Sequence, residues 1–256
     1  MSSTHRRPGP PLDAVVDFLW LSDGYVAPAP RERVLPSGAF ALVVNLEADH
    51  HRIYEGEGSD SPVELPGSIL CGPRARPLII AASSRSSTAG VHFKPGGARS
   101  FMDLPAGELE GLSLPLDVLW GASGRALRSE LLEATTTAAR FGVLEVFLLR
   151  HLRRPLRQAP ALCIALRAFE SPDLQSVAEV NFGTRLSPKA FWRVRRFRAA
   201  LRDLERRAWS GAALAAEHGY FDQPHFDREF RRLAGSAPRE YLALRGPLPD
   251  HVPLHG

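Results

Sequence analysis

Cysteine is scarce in this chain: Cys71 and Cys163 are the two present in 256 residues. They form no metal-binding or redox spacing, which fits a reducing compartment, and both read as small buried apolar residues. Long apolar runs are lacking as well. The longest, around Ala39–Leu46, falls far short of the ~20 residues that span a bilayer. The opening MSSTHRRPGPP carries basic residues with no apolar segment behind them, so it does not read as a secretory signal. These absences predict a cytoplasmic protein with no membrane partner.

Patterns that carry catalysis are equally thin. His50 and His51 are adjacent in an extended region, so their side chains point to opposite faces, and with His92 they make no H-x-H ligand set. The serines of Ser83–Ser87 surround Arg85, but no His and Asp accompany them at an informative spacing. Gly96-Gly97 lies outside any phosphate-loop frame. No metal, cofactor or catalytic residue is implied, and an enzyme is the weaker class. Internal repeats and low-complexity tracts are missing too.

What the chain does have is a 44% hydrophobic composition, sufficient for a real core, and an uneven charge. Between Arg185 and Arg245 there are 14 Arg and Lys against 7 Asp and Glu. The overall charge is only +4, so the rest of the chain is mildly acidic. A basic C-terminal part points to a polyanionic partner.

Up to about Leu104 the chain is punctuated by Gly and Pro between short extended runs: Ala39–Leu46, Glu64–Pro73 with a Pro-Gly turn, Arg76–Ala81 and Ser87–Phe93. This pattern predicts a β-sandwich or barrel, closing over an apolar pocket. Phe93–Phe101 reads as a strand end, a Pro-Gly-Gly turn and a helix start. Apolar steps of three and four then predict helices over Gly124–Ala139 and Phe141–Leu152. Arg153–Pro160 has two prolines and little periodicity and reads as a linker. The expected division is therefore 1–152, 153–160 and 161–256, in an α+β chain whose last part is helical to its end.

Ser187–Trp209 predicts a helix with Ser187 as N-cap and Pro188 at its first position. Phe191, Val194, Phe197, Leu201 and Leu204 make one apolar stripe, with Arg193, Arg196, Arg202 and Arg206 off it. Next comes a short helix from Ala212 to His218, capped by Ser210 and ended by Gly219. Asp222 then caps a helix that buries Phe226, Phe230 and Leu233 and exposes Gln223, Asp227, Arg228 and Arg231. Two helices joined by a short Gly-containing turn form a helix-turn-helix pattern, whose second helix reaches base edges in the major groove.

The run GYFDQPHFDREFRR (219–232), followed by GSAPREYL (235–242), resembles the second helix-turn-helix signature of AraC-type transcriptional regulators. RVLPSGAFALVVNL, the later CGP and VHFKPGGARSF resemble the cupin-like N-terminal domain of one subgroup of them. The resemblance implies a sequence-specific, effector-responsive regulator: a cupin-like sensor and dimerisation domain, then an all-α helix-turn-helix domain, working as a homodimer on double-stranded promoter or operator DNA with a small-molecule effector. It places Gln223, His225 and Arg228 at the bases, with Asp227 on the same DNA-facing side, and Arg231, Arg232, Arg193 and Arg196 on the phosphates.

The chain departs from the family in three places, one of them Asp227 on the reading face, which either accepts from cytosine N4 or simply opposes phosphates. The first helix-turn-helix should begin near Leu174–Val180, yet only six residues separate Val180 from Ser187. That segment is short by about a turn and a recognition helix of the kind such modules use, so the first unit reads as truncated. Ala237 stands where the family has Thr or Ser as a cap, with Ser236 as a substitute one residue earlier. These departures leave open an alternative: a ligand-binding or dimerising protein that has lost specific DNA binding.

Overall fold

The computed structural model describes residues 2–103, 109–156, 186–206, 210–246, 248 and 250–254. Most of the expected linker (157–160) and the expected truncated first unit, Leu174–Val180 and the residues up to Arg185, lie outside the described residues. The rest is an α+β chain: antiparallel sheets first, helices after them.

Among the described residues, eleven strands form two sheets. β1 (Ser2–Arg6), β2 (Val16–Asp23), β4 (Ala41–Asn45), β7 (Ser68–Cys71), β9 (Ser87–Phe93) and β10 (Ser113–Pro115) make a six-stranded sheet in the order β1-β2-β9-β4-β7-β10. β3 (Arg31–Val34), β5 (His50–Tyr54), β6 (Val63–Pro66), β8 (Leu78–Ala81) and β11 (His251–Leu254) make a five-stranded sheet in the order β11-β3-β8-β5-β6. Every pairing is antiparallel.

The period-2 alternation of strands sorts side chains in the larger sheet. Leu19, Leu21, Leu42, Val44, Leu70, Ala89, Val91 and Phe93 point to one face, where they meet Leu127, Leu131, Phe141, Leu144, Phe147 and Leu148 from two helices. These helices are α1 (Leu116–Glu133) and α2 (Thr137–Arg150). Phe18, Trp20, Ser22, Ala41, Val43, Ile69, Cys71, Thr88 and His92 point to the other face and line a cavity between the sheets. Gly90 is on this inner face because a Cβ there would come within 2.6 Å of the Trp20 ring and 2.3 Å of the Leu42 carbonyl.

The expected strands are all present, and the expected break between the helices is displaced. α1 begins at Leu116, eight residues before the predicted start, and kinks at Gly121 (φ 57°). A left-handed residue interrupts the helix, so the regular pattern reads as starting just after it. α1 ends at Glu133, and Thr136 caps α2 by accepting from the Ala139 amide at 3.1 Å. Gly97–Phe101 forms a short 3-10 helix.

The C-terminal helices are α3 (Pro188–Arg206), α4 (Gly211–Glu217), α5 (Gln223–Ala234) and α6 (Pro238–Leu244). Phe191, Val194, Phe197 and Leu201 of the predicted stripe are each at most 2% exposed. Val194, Phe197 and Leu201 belong to a second core with Leu214, Tyr220, Phe226, Phe230, Leu233 and Tyr241. This core also takes in Leu35 and Val252 from the smaller sheet, so the helices dock directly on β3 and β11. Among the described residues no helix is long and apolar enough to cross a membrane.

Two expectations are corrected here. The chain is not helical to its end: residues 251–254 return as β11 and pair with β3 through His251↔Val34, Val252↔Arg33, Pro253↔Glu32 and Leu254↔Arg31. Pro253 is tolerated because β11 is an edge strand. Ser236 does not replace the missing cap. Its hydroxyl is buried without a partner, and Glu240 instead reaches back to the Ala237 amide at 3.2 Å.

Gly235 ends α5 in the left-handed conformation (φ 77°), and a Cβ there would sit 2.3 Å from the Arg33 guanidinium of β3. Gly235→Ala therefore meets both backbone strain and a collision at the junction with the sheet. The expected loss is about 1–2 kcal/mol, a drop of roughly 3–6 °C in thermal midpoint. An unchanged midpoint by calorimetry would show that this junction is not tightly packed.

Candidate nucleic-acid interface and the cavity behind it

The helix pair α4–α5 is assembled by local signals. Ser210 caps α4 by accepting from the Ala213 amide at 3.1 Å. Gly219 leaves it at φ 66°. Asp222 caps α5 by accepting from the His225 amide at 2.7 Å, with Pro224 in the first turn. Phe226, Phe230, Leu233 and Ala234 are each at most 2% exposed. Burying each of the larger three contributes about 1.5–3 kcal/mol, so the inner face is firmly seated.

The outer face then follows from helix geometry. At about 100° per residue, Arg228, Arg231 and Arg232 fall within an arc of about 100° opposite the buried face. All three are exposed, as is Gln223. Asp227 is half-buried at one edge of the arc. The Gln223 amide lies over the start of α4, where a Cβ on Gly211 would be 2.5 Å from its Nε2.

Two expected contact residues are turned inward. Glu229 of α5 is 7% exposed, and Arg193 and Arg196 of α3 both ion-pair with its carboxylate. Arg196 also donates to the Gly219 carbonyl at 3.1 Å. Its guanidinium lies 3.9 Å from the ring centres of both Trp192 and Tyr220. With both faces stacked, both terminal nitrogens engaged and Nε buried, Arg196 has little left to offer a phosphate. These arginines hold α5 against α3 instead of extending the basic surface. A buried carboxylate without them would be costly. His225 is half-buried, accepts from the Phe221 amide through Nδ1 at 3.3 Å and packs edge-on against Tyr220. It shapes the turn as much as it faces outward.

One residue was missed from sequence. Phe221, directly before the cap, is 92% exposed. The signal was an aromatic between the core residue Tyr220 and the cap Asp222, a place that demands no apolar side chain.

The second candidate region is the cavity between the sheets, about 250 Å³. It is less apolar than expected. Phe18, Trp20, Val43, Ile53, Ile69, Leu78 and Ile80 form its walls, but Arg52, Arg74, Arg76 and Arg85 line it too. Part of the wall comes from beyond the helix-turn-helix: Leu248, Asp250 and His251. Arg85 donates to His251 Nε2 at 2.7 Å, and His251 Nδ1 faces Glu32 Oε2 at 3.3 Å. Glu32 is fully buried and accepts from the Tyr25 hydroxyl. Burial, helped by the Arg85 charge, pushes His251 down to about 4, so the imidazole is neutral and can accept from Arg85. Burial likewise holds His51 at about 4, with Nε2 3.1 Å from the Gly67 carbonyl.

Residues 4–115 match a domain of unknown function (DUF6597), and residues 180–243 match a helix-turn-helix domain. No curated protein matches the chain. Among solved structures, ToxT from Vibrio cholerae is similar. One apo form of a variant is 10% identical with a TM-score of 0.49, over 88% of this chain and 97% of that one. Another ToxT structure is 12% identical with a TM-score of 0.43, over 95% and 98%. The form bound to an unsaturated fatty acid is 9% identical with a TM-score of 0.43, over 89% and 94%.

The two buried histidines have a consequence for stability. Each has a folded pKa of about 4, below the ~6.5 of an unfolded histidine. The unfolded chain thus binds more protons between these values, and stability falls as pH drops through that window. The facing groups of His251 are Arg85, Glu32 and Asp250. Each histidine can contribute up to about 3 kcal/mol to the loss. Chemical denaturation at pH 7, 5.5 and 4.5 should show the decline, and His51→Gln should flatten it. A flat profile in the wild type would contradict the neutral buried imidazoles.

Proposed function

We propose that the chain, which carries an AraC-type helix-turn-helix domain at its C-terminal end and a DUF6597 domain at its N-terminal end, is a transcription regulator that binds promoter DNA through α5. One observation carries this reading. α5 is locked on one face by Phe226, Phe230, Leu233 and Glu229, and it presents Arg228, Arg231 and Arg232 together on the other. The three arginines give this face a cluster of donors suited to phosphates and base edges.

In this reading Arg228, central on the exposed arc, grips guanine O6 and N7, and Gln223 faces adenine. Asp227 accepts from cytosine N4. Phe221 meets a thymine methyl or a sugar. Arg231 and Arg232 rest on phosphates, where they set register but carry no sequence information. Arg193 and Arg196 act behind the interface, holding α5 through Glu229. The β-sandwich, read as a cupin-like sensor (residues 1–152), takes a small-molecule effector in its cavity.

The homodimer reading draws on a separate surface. Val146, Leu149 and Leu152 recur at three-residue steps along α2 and beyond it, and are 44%, 43% and 40% exposed. A second copy of the same face would cover them. Sedimentation velocity should find Leu149→Glu shifted towards monomer. An unchanged distribution would place any dimer contact elsewhere.

The DNA reading is tested by separating recognition from positioning. Arg228→Ala should cost about 1–3 kcal/mol at the preferred site and flatten the preference at one base position. Arg232→Ala should weaken all sequences alike and reduce the salt dependence by about one contact. For the wild type, log affinity against log salt should fall with a slope of roughly −3 to −5, at about −0.9 per phosphate contact. Binding across a randomised-site library measures all three. Unchanged base preference in Arg228→Ala would remove α5 as the reading helix.

A further inference from the structure

The cavity and the end of the chain share one cluster of buried groups. Arg85 follows β8 in a short 3-10 helix and lies over the Trp20 ring at 5.6 Å. It is hemmed in by protein, yet it lines the cavity. Its partner is His251, a neutral imidazole at the start of β11. Arg85 Nε has no hydrogen-bond partner, and neither do the hydroxyls of Ser22 and Thr88, which line the same cavity. Ser22 and Thr88 are direct cross-strand neighbours of β2 and β9, so these donors gather at one end beside Trp20. Buried donors are rarely left unpaired in native proteins.

The acids nearby are engaged by other groups, with Glu32 Oε2 left facing only His251 Nδ1. Asp250 is held by Arg198 of α3 through both guanidinium nitrogens, and Glu32 by Tyr25. Arg85 makes no ion pair with either acid and its partner is the His251 imidazole, so an anion offered to it competes with a neutral acceptor, which a charged one outbids. The remaining walls are aromatic and branched aliphatic. A cavity of about 150 Å³ suffices for benzene, so about 250 Å³ holds one ring with a few further atoms.

We propose that the cavity binds a compact aromatic carboxylate, its carboxylate taking Arg85 from His251 and its ring lying against Trp20, so that occupancy loosens β11. This deepens the effector reading above and rests on it. The loosened strand is poised to move. It begins just after Asp250, the one non-glycine with positive φ (64°) among the described residues. That conformation costs about 1–2 kcal/mol. It is retained by the Arg198 ion pair and by the Leu35 amide donating to the Asp250 carbonyl at 2.9 Å. The carboxylate removes the third restraint, at His251. Because α3 holds Asp250 and Val252 is in the helical core, the change reaches the helix-turn-helix directly.

The test uses the full chain and three probes: 4-isopropylbenzoate, its neutral analogue 4-isopropylbenzamide, and inorganic phosphate. Calorimetry should find the carboxylate bound at least about tenfold more tightly than the amide, a gap of ~1.4 kcal/mol, with no binding of phosphate. Arg85→Gln should erase the gap, and His251→Ala should bind the carboxylate several-fold more tightly because the competing contact is gone. Hydrogen exchange at the Val252 and Leu254 amides should speed up when the carboxylate binds. Equal affinity for acid and amide in the wild type would overturn the ligand class even if Arg85→Gln failed to fold, and tight phosphate binding would do the same. Unchanged affinity in His251→Ala together with unaltered exchange would overturn the link to β11. No readout involves DNA, so failure here leaves the DNA-binding proposal standing, and loss of DNA binding leaves these measurements interpretable.

Discussion

The pairing of β11 with β3 ties the end of the chain to the sheet that walls the cavity. The alternation of β3 then divides its side chains between two environments. Glu32 and Val34 face inward, towards His251 and the cavity. Arg33 faces outward, against the C-cap glycine of α5. Leu35, just past the strand, joins the helical core, as does Val252 from β11. Consecutive residues on one strand thus touch the inside of the β-sandwich and the end of α5. A strand cannot rotate without turning every side chain it carries, so the two environments are mechanically connected at β3.

The helical module depends on a second constraint, the burial of Glu229 on α5 itself. Replacing one partner of such a cluster leaves a charge buried without compensation, which costs more than the pair contributes. Arg193 and Arg196 fix the position of α5 relative to α3. Arg196, bonded to the Gly219 carbonyl as well, fixes it relative to the turn. The geometry of the exposed arginines is inherited from this buried contact. A carboxylate at this position therefore favours accurate placement of α5 over raw stability, which an apolar residue could equally supply.

Much of this was legible in the sequence, and the limits have physical causes. The caps Ser187, Ser210 and Asp222, the turn glycine Gly219 and the stripes of α3 and α5 are local patterns, and local patterns are written within a few residues. The same holds for the alternating strands. The helix break at Ala134–Thr136 was misplaced because Gly121 disturbs the period that would have located the true start. Arg193 and Arg196 read as surface charges because nothing local reveals a buried acid 33 to 36 residues away. The cluster of Tyr25, Glu32, Arg85 and His251 was invisible for the same reason: Arg85 and His251 are 166 residues apart. Long-range polar contacts leave no periodicity, whereas apolar faces do.

The return of β11 also changes how an effector signal could pass. With a flexible tether, the helix-turn-helix would be free to ignore the sensor, and ligand binding would shift its orientation only if the two made other contacts. Here the chain passes from the sensor to the helices and back, so the helical module is held at its far end as well. A ligand can bias such an arrangement only by binding one seating of β11 better than another. In the proposed reading the coupling would be reciprocal: DNA that selected the looser seating would raise affinity for the ligand by the same factor that the ligand raised affinity for DNA. Because Arg85 and Asp250 are each committed to groups on opposite sides of β11, cavity and α3, the free energy available for that bias is bounded by what the His251 contact and the strained Asp250 backbone contribute. A few kcal/mol is the scale of one charge-assisted hydrogen bond and one left-handed residue. It matches the 1–3 kcal/mol typical of allosteric coupling.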